Sequence, residues 1–479
     1  MGSTRLVVIG GDAAGMSAAS QARRRRDASD LTIVALERGR HVSYAACGIP
    51  YLVGGVVASP DELIARRAET FRADLDIDVR SRHDVVDVDV DAGVVLVRDL
   101  EAEVEYREHF DELVIATGAV PVRPKLPGFD ATGTFGLQIL DDGIALRHAI
   151  ETTDPRKAVV IGGGYIGLEV AEALVMRGLS VTLVEAAAQP MRTLDVDMGA
   201  LVADALRNVG VTLVLGEPVT GIEERDGRVA AVMTSERTLP ADLVVFGLGN
   251  RPNSDLAARA GVPVGVTTGI VTDSRMHTGV DGIWAAGDCV ETYHRVSERP
   301  VAIALGTHAN KQGRVAGINI GGGQAAFPGV IGTAISKICD VEVARTGLNE
   351  TEATEAGFDH VAASITSTTR AGYFPEAQPV QVKLVAQQRS GRLLGGQIVG
   401  GEGAAKRIDV LAVAIWNSMT VEEMTGLDLA YAPPFAPVWD PVLVAARKAQ
   451  ERLESSTPST GMTEEWPTRP GTGCPPALA

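Results

Sequence analysis

Two glycine-rich turns, each set between a short apolar run and a helix-forming stretch, most constrain the fold of this chain. The first covers residues 10–15 (GGDAAG) after the run Arg5–Ile9, and the second covers residues 162–167 (GGGYIG) after Lys157–Ile161. Short β-branched runs that end in glycine are typical of buried parallel strands. Glycines in the turn let the backbone approach a pyrophosphate, which the N-terminus of the following helix attracts. Each turn therefore predicts a dinucleotide-binding site.

An acidic residue ends the second strand of each predicted unit. Glu37 and Glu185 each lie about 20 residues beyond the last glycine of the turn, where a carboxylate binds the hydroxyl groups of a ribose. The second turn keeps the full G-x-G-x-x-G pattern, whereas Asp12 replaces its middle glycine in the first. One such turn is a weak signal, but two with their acids predict that the chain binds a tightly held flavin and an exchanging nicotinamide.

Glu185 also bears on the choice of nicotinamide. A carboxylate at this position accepts hydrogen bonds from a ribose 2′-hydroxyl and repels a 2′-phosphate. Arg192, a few residues further on, is able to offset that repulsion. The sequence favours NADH and leaves NADPH open.

The remaining strands and turns predict the domain boundaries. Residues 113–118 and 244–249 are strands that run into glycine turns, and residues 282–288 form a strand that ends in Gly-Asp. No third glycine turn of this kind follows, and antiparallel strands are expected instead. We assign one dinucleotide-binding domain to residues 1–152 with 282–326, a second to 153–281, an α+β domain to 327–450, and a disordered tail to 451–479.

Charge and apolar patterning argue against several classes of function. The 479 residues include 44 basic and 61 acidic side chains, a formal net charge of −17, which argues against nucleic acid or an anionic membrane as a partner. No apolar run approaches the roughly 18 residues of a transmembrane helix. The N-terminus runs directly into the first strand without a signal-peptide pattern, so we expect a cytoplasmic protein. The four cysteines lack metal-like spacing, so no metal site is expected.

Cys47 lies in the segment SYAACGIPY, residues 43–51, where a helix can begin near Pro50. The N-terminus of that helix would stabilise a thiolate. Because no second cysteine lies within a few residues, a redox-active Cys47 must form a mixed disulfide, a persulfide or a sulfenic acid. A small buried apolar role is the commoner one for cysteine, and it describes Cys289 and Cys339 better.

These motifs together resemble those of the flavin-dependent pyridine nucleotide–disulfide oxidoreductases over about residues 5–445. They occur in the order GGDAAG, ERG, SYAACGIPY, ATG, GGGYIGLE, GNRPN and AAGDC. The lone cysteine is similar to that of the branch that holds coenzyme A-disulfide reductases, NADH oxidases, NADH peroxidases and persulfide or polysulfide reductases. The resemblance implies an α/β fold with two Rossmann-like dinucleotide-binding domains, for FAD and NAD(P)H, and a C-terminal α+β dimerisation domain. It also implies a homodimer whose active site the partner subunit completes.

The resemblance implies two sets of cofactor contacts. The FAD contacts are Gly10, Asp12, Ala13, Ala14, Gly15, Glu37, Arg38, Ser43, Val85, Ala116, Thr117, Gly118, Gly287, Asp288, Ala304, Leu305, Thr307 and Phe435. The NAD(P)H contacts are Gly162, Gly164, Tyr165, Ile166, Gly167, Glu169, Glu185 and Gly249. In such enzymes the tyrosine of the second turn covers the nicotinamide side of the flavin and moves when NADH enters.

The resemblance also implies the residues that act on the substrate. Cys47 would be the redox-active sulfur, and Tyr373 and Tyr431, each supplied by the partner subunit, would protonate or orient the leaving thiol. Phe374 and Phe435 are the second aromatic residues of these two segments, and phenylalanine cannot donate a proton. Whether these two replace catalytic tyrosines stays open.

Coenzyme A contacts would fall on Gln21, Arg24, Ser43 and Asn310. Ala46 departs from this pattern, because coenzyme A-disulfide reductases carry asparagine immediately before the cysteine. Arg24 belongs to four consecutive arginines at 23–26, which either hold phosphate groups or form a solvated helix end.

The sequence therefore predicts an FAD-dependent NAD(P)H oxidoreductase that reduces a low-molecular-weight disulfide or persulfide through Cys47, with coenzyme A disulfide as the leading candidate. Two alternatives stay open. One is an NADH oxidase that reduces oxygen, and the other is a flavin electron-transfer reductase without cysteine chemistry. The predicted first helix, residues 15–25, contains no histidine, which argues against a dedicated peroxidase.

Overall fold

The structure is a computed structural model that describes residues 3–456. Its first part contains β1 Thr4–Ile9, α1 Ala13–Arg23, β2 Leu31–Glu37, α2 Ile49–Gly54, α3 Ala68–Leu75, β3 Ile77–Ser81, β4 His83–Asp89, β5 Val94–Asp99, β6 Val104–His109, β7 Glu112–Ile115, β8 Ala119–Pro121, β9 Thr134–Gly136 and α4 Leu140–Thr153.

The middle part contains β10 Lys157–Ile161, α5 Tyr165–Met176, β11 Ser180–Glu185, α6 Val196–Asn208, β12 Thr212–Leu215, β13 Val219–Arg225, β14 Arg228–Thr234, β15 Thr238–Pro240, β16 Leu243–Phe246, β17 Asn250–Pro252 and α7 Asp255–Arg259.

The last part contains β18 Ile283–Ala285, β19 Thr292–His294, β20 Arg299–Val301, α8 Gly306–Ile320, β21 Ala334–Ile338, β22 Val341–Gly347, α9 Glu350–Glu355, β23 His360–Thr368, β24 Pro379–Gln387, β25 Leu393–Gly400, α10 Ile408–Trp416, α11 Val421–Thr425 and α12 Pro441–Ser456. Short 3₁₀ turns cover Ala46–Gly48, Pro60–Leu63 and Ala405–Arg407.

The first sheet is parallel and has the strand order β18-β7-β1-β2-β3. β1 lies at its centre, where Val8 is opposite Ala35 of β2 and Val114 of β7. Leu6, Val7 and Val8 have no exposed surface, because both faces of the sheet are covered. β18 joins this sheet from far along the chain, so the first unit is built from two separate stretches of sequence.

The second sheet repeats this arrangement with the order β12-β11-β10-β16-β9, again all parallel. In both sheets the glycine turn follows the central strand, β1 or β10, and leads into a helix, α1 or α5. The carboxyl edge of a parallel sheet is where dinucleotides bind. The two parallel sheets thus present two equivalent edges.

Helices α1 and α8 approach closely because α8 carries glycine at its contact points. A Cβ on Gly313 would lie 2.1 Å from the carbonyl oxygen of Ala14, and one on Gly317 would lie 2.2 Å from that of Ala18. This contact places the N-terminus of α8 beside the first glycine turn.

The third sheet is antiparallel, with the order β21-β22-β25-β24-β23, and it belongs to a separate C-terminal unit. Val382, Leu384 and Ile398 are fully buried between this sheet and the helices that pack on it. The predicted fold class, two Rossmann-like α/β units followed by an α+β unit, is confirmed.

Residues 451–456 belong to α12, against the expectation that a disordered tail begins at 451. The rest of that predicted tail, residues 457–479, lies outside the described residues. Across residues 3–456, no helix is both long and apolar enough to cross a membrane.

Candidate active site

The first glycine turn depends on glycine at two positions. Gly10 has φ +108°, and a Cβ there would lie 2.1 Å from the carbonyl oxygen of Ala116. A Cβ on Gly15 would lie 1.9 Å from the carbonyl oxygen of Gly10. Gly118, with φ +67°, has no neighbouring atom within 4 Å of such a Cβ, so a ligand can approach it. This cradle fits the pyrophosphate of FAD.

The second glycine turn has the same construction. Gly162 has φ +104°, and a Cβ there would lie 2.3 Å from the carbonyl oxygen of Gly247. A Cβ on Gly167 would lie 2.0 Å from the carbonyl oxygen of Gly162. Gly164 and Gly249 face open space, with no atom within 4 Å of an added Cβ. The turn fits the pyrophosphate of a nicotinamide dinucleotide.

Glu37 is held at the end of β2 by backbone amides. The N–H groups of Gly11 and Gly39 donate to its two carboxylate oxygens at 2.7 and 2.6 Å. A cavity of about 260 Å³ opens beside it, and Arg38 and Tyr44 are part of its lining. The fixed acid and the neighbouring cavity fit the adenosine half of FAD.

Glu185 at the end of β11 is held in the same way. The N–H groups of Gly163 and Ala187 donate to its carboxylate oxygens at 2.7 and 2.8 Å. Glu185 is half-buried rather than fully enclosed, which suits contact with a ribose. The predicted positions of both acids relative to their glycine turns are therefore met in the structure.

Two buried carboxyl groups, Asp12 and Asp288, lie near the first turn. Burial raises the pKa of each to about 6. Asp12 accepts a hydrogen bond from the Tyr44 N–H at 3.1 Å, while Asp288 follows Gly287, whose N–H donates to Gln312 at 2.8 Å. Carboxyl oxygens in such surroundings need hydrogen-bond donors, and the hydroxyl groups of the ribityl chain of FAD would supply them.

The remaining predicted FAD residues of the described chain fall at the ends of elements. They are Ala13 and Ala14 at the start of α1, Val85 on β4, Ala116 and Thr117 after β7, Ala304 and Leu305 before α8, and Thr307 in its first turn. The Thr117 hydroxyl donates to the carbonyl oxygen of Asn253 at 2.5 Å, which links the loop after β7 to the loop after β17.

Cys47 lies in the 3₁₀ turn that precedes α2, and its side chain is exposed. Although the residue is exposed, its sulfur is partly enclosed by protein, and this partial burial raises the pKa of the Cys47 thiol; the carboxylates of Glu169, Asp288 and Asp12 act in the same direction. Helix α2 begins two residues after Cys47 and has six residues. Stabilisation of the thiolate by its N-terminus stays a prediction, and the three carboxylates oppose it.

Glu169 joins the second and third units beside the cysteine. It lies in the second turn of α5 and accepts a hydrogen bond from the Ser336 hydroxyl of β21 at 2.9 Å. Burial raises the pKa of Glu169, and the Ser336 hydrogen bond opposes this. Sequence reasoning missed Ser336, because no local pattern shows that β21 reaches the second glycine turn.

Tyr373 and Tyr431 come together on the third unit. A hydrogen bond between the two side chains raises the pKa of the Tyr431 hydroxyl. Tyr373 is 78% exposed, Tyr431 46% and Phe435 76%. The pair thus forms an exposed hydroxyl cluster on the third unit.

The predicted substrate residues spread over three elements. Asn310 of α8 accepts a hydrogen bond from the Ser17 hydroxyl of α1 at 2.9 Å. Ser43 lies beside the first turn, with φ +48° and its N–H donating to Gly11 at 2.9 Å. Gln21 lies further along α1 and is half-buried.

Two of the four arginines at the end of α1 are held by local contacts. Arg23 donates to the carbonyl oxygens of Leu75 and Asp76, and Arg26 pairs with Asp30, so these two stabilise the local fold. The Arg24 side chain is exposed to solvent, as phosphate binding would require.

Comparison with known proteins gives one consistent family. The sequence model of the family described as "Pyridine nucleotide-disulphide oxidoreductase" matches residues 4–313. The model of that family's dimerisation domain matches residues 333–441.

The chain is similar to an "NAD(P)H sulfur oxidoreductase (CoA-dependent)" of Pyrococcus abyssi, with 41% identity over 92% of this chain and 97% of the relative. It is similar to an "NADH oxidase" of Methanocaldococcus jannaschii, with 35% identity over 94% of this chain and all of the relative. The solved structure of an NAD-dependent persulfide reductase from A. fulgidus matches with a TM-score of 0.91 and 40% identity, over 94% of this chain and 84% of that one.

Proposed function

The chain belongs to the pyridine nucleotide-disulphide oxidoreductase family, and from that premise we propose that its electrons pass from NAD(P)H through FAD to Cys47, which reduces a low-molecular-weight disulfide or persulfide. The family resemblance drawn from the sequence is confirmed, as are an oxidoreductase activity and the cofactors FAD and NAD(P)H. The role of Cys47 and the identity of the acceptor are the new parts of this proposal.

The position of Cys47 carries the proposal. The carboxylates of Asp12 and Asp288, from the first site, and of Glu169, from the second, all raise the pKa of its thiol. Of the cysteines in the described chain, Cys47 is the exposed one, whereas Cys289 is fully buried and donates to backbone carbonyl oxygens. A sulfur that both nucleotide sites border is suited to receive electrons from one and pass them to a substrate.

Each site would hold its cofactor with residues that the structure provides. Gly10, Gly15 and Glu37 would hold FAD, and Gly162 and Glu185 would hold NAD(P)H. When bound, the flavin supplies a carrier that accepts a hydride from the nicotinamide and returns two electrons to sulfur. The chain itself orients the two nucleotides and keeps Cys47 within reach of them.

We favour NADH as the reductant. Glu185 presents a carboxylate that its backbone donors hold in place, and this arrangement suits a free ribose 2′-hydroxyl. The persulfide reductase that shares this fold is described as NAD-dependent. Arg192 keeps NADPH as the second possibility, in line with the "NAD(P)H" of the Pyrococcus relative.

Cys47 would attack a sulfur–sulfur bond of the substrate, form a mixed disulfide or persulfide, and release a thiolate. That thiolate needs a proton, and Tyr431 with Tyr373 would supply or orient it across the interface of a homodimer, which the matched dimerisation domain supports. Their exposure in one chain supports this role, because a partner can cover them.

We propose coenzyme A disulfide, or a persulfide or polysulfide handled with coenzyme A, as the acceptor. Gln21, Arg24, Ser43 and Asn310 would form the substrate contacts. The coenzyme A dependence named for the Pyrococcus relative supports this choice. The domain boundaries 1–152 with 282–326 for FAD, 153–281 for NAD(P)H and 327–450 for dimerisation belong to the same proposal, except that β9, residues 134–136, pairs with β16 in the second sheet.

An NADH oxidase is the second candidate, and the Methanocaldococcus relative favours it. The test is anaerobic reduction of the holoenzyme with NADH, followed by separate addition of coenzyme A disulfide, coenzyme A persulfide, polysulfide and oxygen. We expect fast reoxidation by one of the sulfur acceptors and slow reoxidation by oxygen. Fast reoxidation by oxygen alone would favour the oxidase and overturn the proposal.

A further inference from the structure

The loop of residues 189–195 lies against the second glycine turn. The Met191 N–H donates to the carbonyl oxygen of Gly163 at 2.7 Å, and a Cβ on Gly163 would lie 3.2 Å from the Pro190 Cα. Met191 has φ +52° and is 1% exposed. A buried methionine in the left-handed region persists only when its neighbours fix it. The 189–195 loop is therefore a rigid part of the nicotinamide site.

The C-terminal end of this loop is anchored in the third unit. The Asp195 N–H donates to the side-chain oxygen of Gln397 at 2.8 Å. The Asp195 carboxylate accepts from the Gln397 amide at 2.6 Å and from the Glu350 N–H at 2.9 Å. Lys383 contacts the same carboxylate at 3.2 Å. Three residues of the third unit thus hold one residue of the second.

Arg345 of β22 contacts the 189–195 loop at Thr193. One terminal nitrogen donates to the carbonyl oxygen of Thr193 at 2.8 Å and to Glu352 at 3.0 Å. The other donates to Glu352 at 2.6 Å and to the carbonyl oxygen of Gly347 at 2.5 Å. The residue is 8% exposed. Because the planar guanidinium is fixed on its other sides, it holds the Thr193 carbonyl in place, and the Asn349 amide donates to the same oxygen at a longer 3.3 Å.

Two buried hydroxyl groups face each other at this point. Neither the Tyr165 hydroxyl nor the Thr193 hydroxyl has a hydrogen-bond partner of good geometry in the described chain, although the two lie close enough to interact. Tyr165 is the first residue of α5 and belongs to the glycine turn itself. A shift of Thr193 would therefore change the space around Tyr165.

We propose that Arg345 is a positioning residue for the NAD(P)H site. It acts from the third unit through the Thr193 carbonyl on the 189–195 loop, and through that loop on the glycine turn and Tyr165. The inference rests on the nicotinamide half of the proposed function and does not involve Cys47 or the acceptor.

The test compares the FAD-loaded dimer carrying Arg345→Met or Arg345→Lys with the unsubstituted enzyme. Arg80→Met is the matched control, because Arg80 also pairs with a buried carboxylate, that of Glu108, on the first unit. The probe is NAD⁺, which binds without reducing the flavin. The readouts are its Kd by calorimetry, hydrogen exchange of the peptide that contains the Met191 amide, and the Tm.

We expect the Kd of Arg345→Met for NAD⁺ to rise about tenfold, the effect of roughly one lost charge-assisted hydrogen bond, with faster exchange at Met191. Arg345→Lys keeps the charge beside Glu352 but lacks the two-pronged set of donors. It should therefore raise the Kd for NAD⁺ and the exchange rate at Met191 by smaller amounts than Arg345→Met does. Arg80→Met should leave both unchanged.

A lower Tm with unchanged Kd and exchange would show a merely structural role and overturn the inference. If Arg345→Met fails to fold, Arg345→Lys decides by the same two readouts. The outcome is independent of the acceptor assays, so a failure here and a failure of the proposed function are distinguishable.

Discussion

Glu185 repeats in the second parallel sheet the hydrogen bonding of Glu37 in the first. Each carboxylate accepts, at 2.7 Å, the N–H of the second residue of its glycine turn, Gly11 or Gly163. Each also accepts a second backbone N–H two residues further along the chain. The ribose of FAD carries no 2′-phosphate, so the shared geometry supports our proposal that the second site takes an unphosphorylated ribose.

Glu185→Gln should shift the reductant preference towards NADPH. The substitution removes the charge that repels a 2′-phosphate and weakens the acceptor for a 2′-hydroxyl, so the ratio of kcat/KM for NADPH over NADH should rise at least about tenfold. Steady-state kinetics with both nucleotides measure this ratio. Glu224→Gln, at an exposed position on β13, is the control and should leave the ratio unchanged. An unchanged ratio in Glu185→Gln would remove the basis for favouring NADH.

Glu169→Gln should lower the pKa of the Cys47 thiol. The Glu169 carboxylate raises that pKa, so removing its negative charge favours the thiolate. The long-wavelength absorption that a thiolate produces beside oxidised flavin should then persist to lower pH in the variant. Glu224→Gln, at an exposed position on β13 in another part of the second unit, is the control. A shift of the absorption to higher pH would contradict the electrostatic account.

Asp288→Asn should stabilise the FAD-free chain at pH 7 and weaken FAD binding. Burial raises the pKa of Asp288 from 3.8 to about 6, so this group favours the folded state below pH 4 and loses that contribution as the pH rises through 6. Asparagine carries no charge to bury, and the gain in the free energy of unfolding at pH 7 should reach about 3 kcal/mol. The gain should disappear below pH 4.

Denaturant unfolding of the FAD-free protein at pH 3.5 and pH 7 measures the effect of this substitution, and flavin fluorescence measures the Kd for FAD. Asp281→Asn, at an exposed position, should change neither quantity. Equal stabilisation by Asp288→Asn at both pH values would show that ionisation of the buried carboxyl is not its cause.

Tyr431→Phe should slow reduction of the sulfur substrate and spare reduction of the flavin. Loss of a positioned proton donor lowers the rate of the acid-catalysed step by about a hundredfold. Stopped-flow absorbance separates flavin reduction by NADH from reoxidation by the acceptor. Tyr293→Phe, at an exposed tyrosine of β19, is the control. Equal slowing of both half-reactions in Tyr431→Phe would indicate a structural defect instead.

Local sequence was sufficient to predict the two nucleotide sites. The glycine turns, Glu37 and Glu185 are read within single strand–turn–helix units, whose geometry depends on residues close in sequence. The antiparallel strands expected after the second unit are also present, and β24 and β25 are two of them.

Contacts between units were not predictable in this way. Ser336 with Glu169 and Arg345 with Thr193 join residues more than 150 positions apart in sequence, and no periodicity encodes such a pairing. The electrostatic surroundings of Cys47 are another example. The helix start after Cys47 was visible in the sequence, whereas the effect of Asp12, Asp288 and Glu169 on the pKa of its thiol arises only after folding.

The most direct test of the central claim is an anaerobic NADH titration of Cys47→Ser beside the unsubstituted enzyme and Cys339→Ser, followed by addition of the sulfur acceptor. We predict that NADH reduces the flavin in all three proteins. The long-wavelength band and acceptor reduction should be lost in Cys47→Ser and kept in Cys339→Ser. Acceptor reduction at the normal rate in Cys47→Ser would contradict the account and favour an electron-transfer reductase without cysteine chemistry.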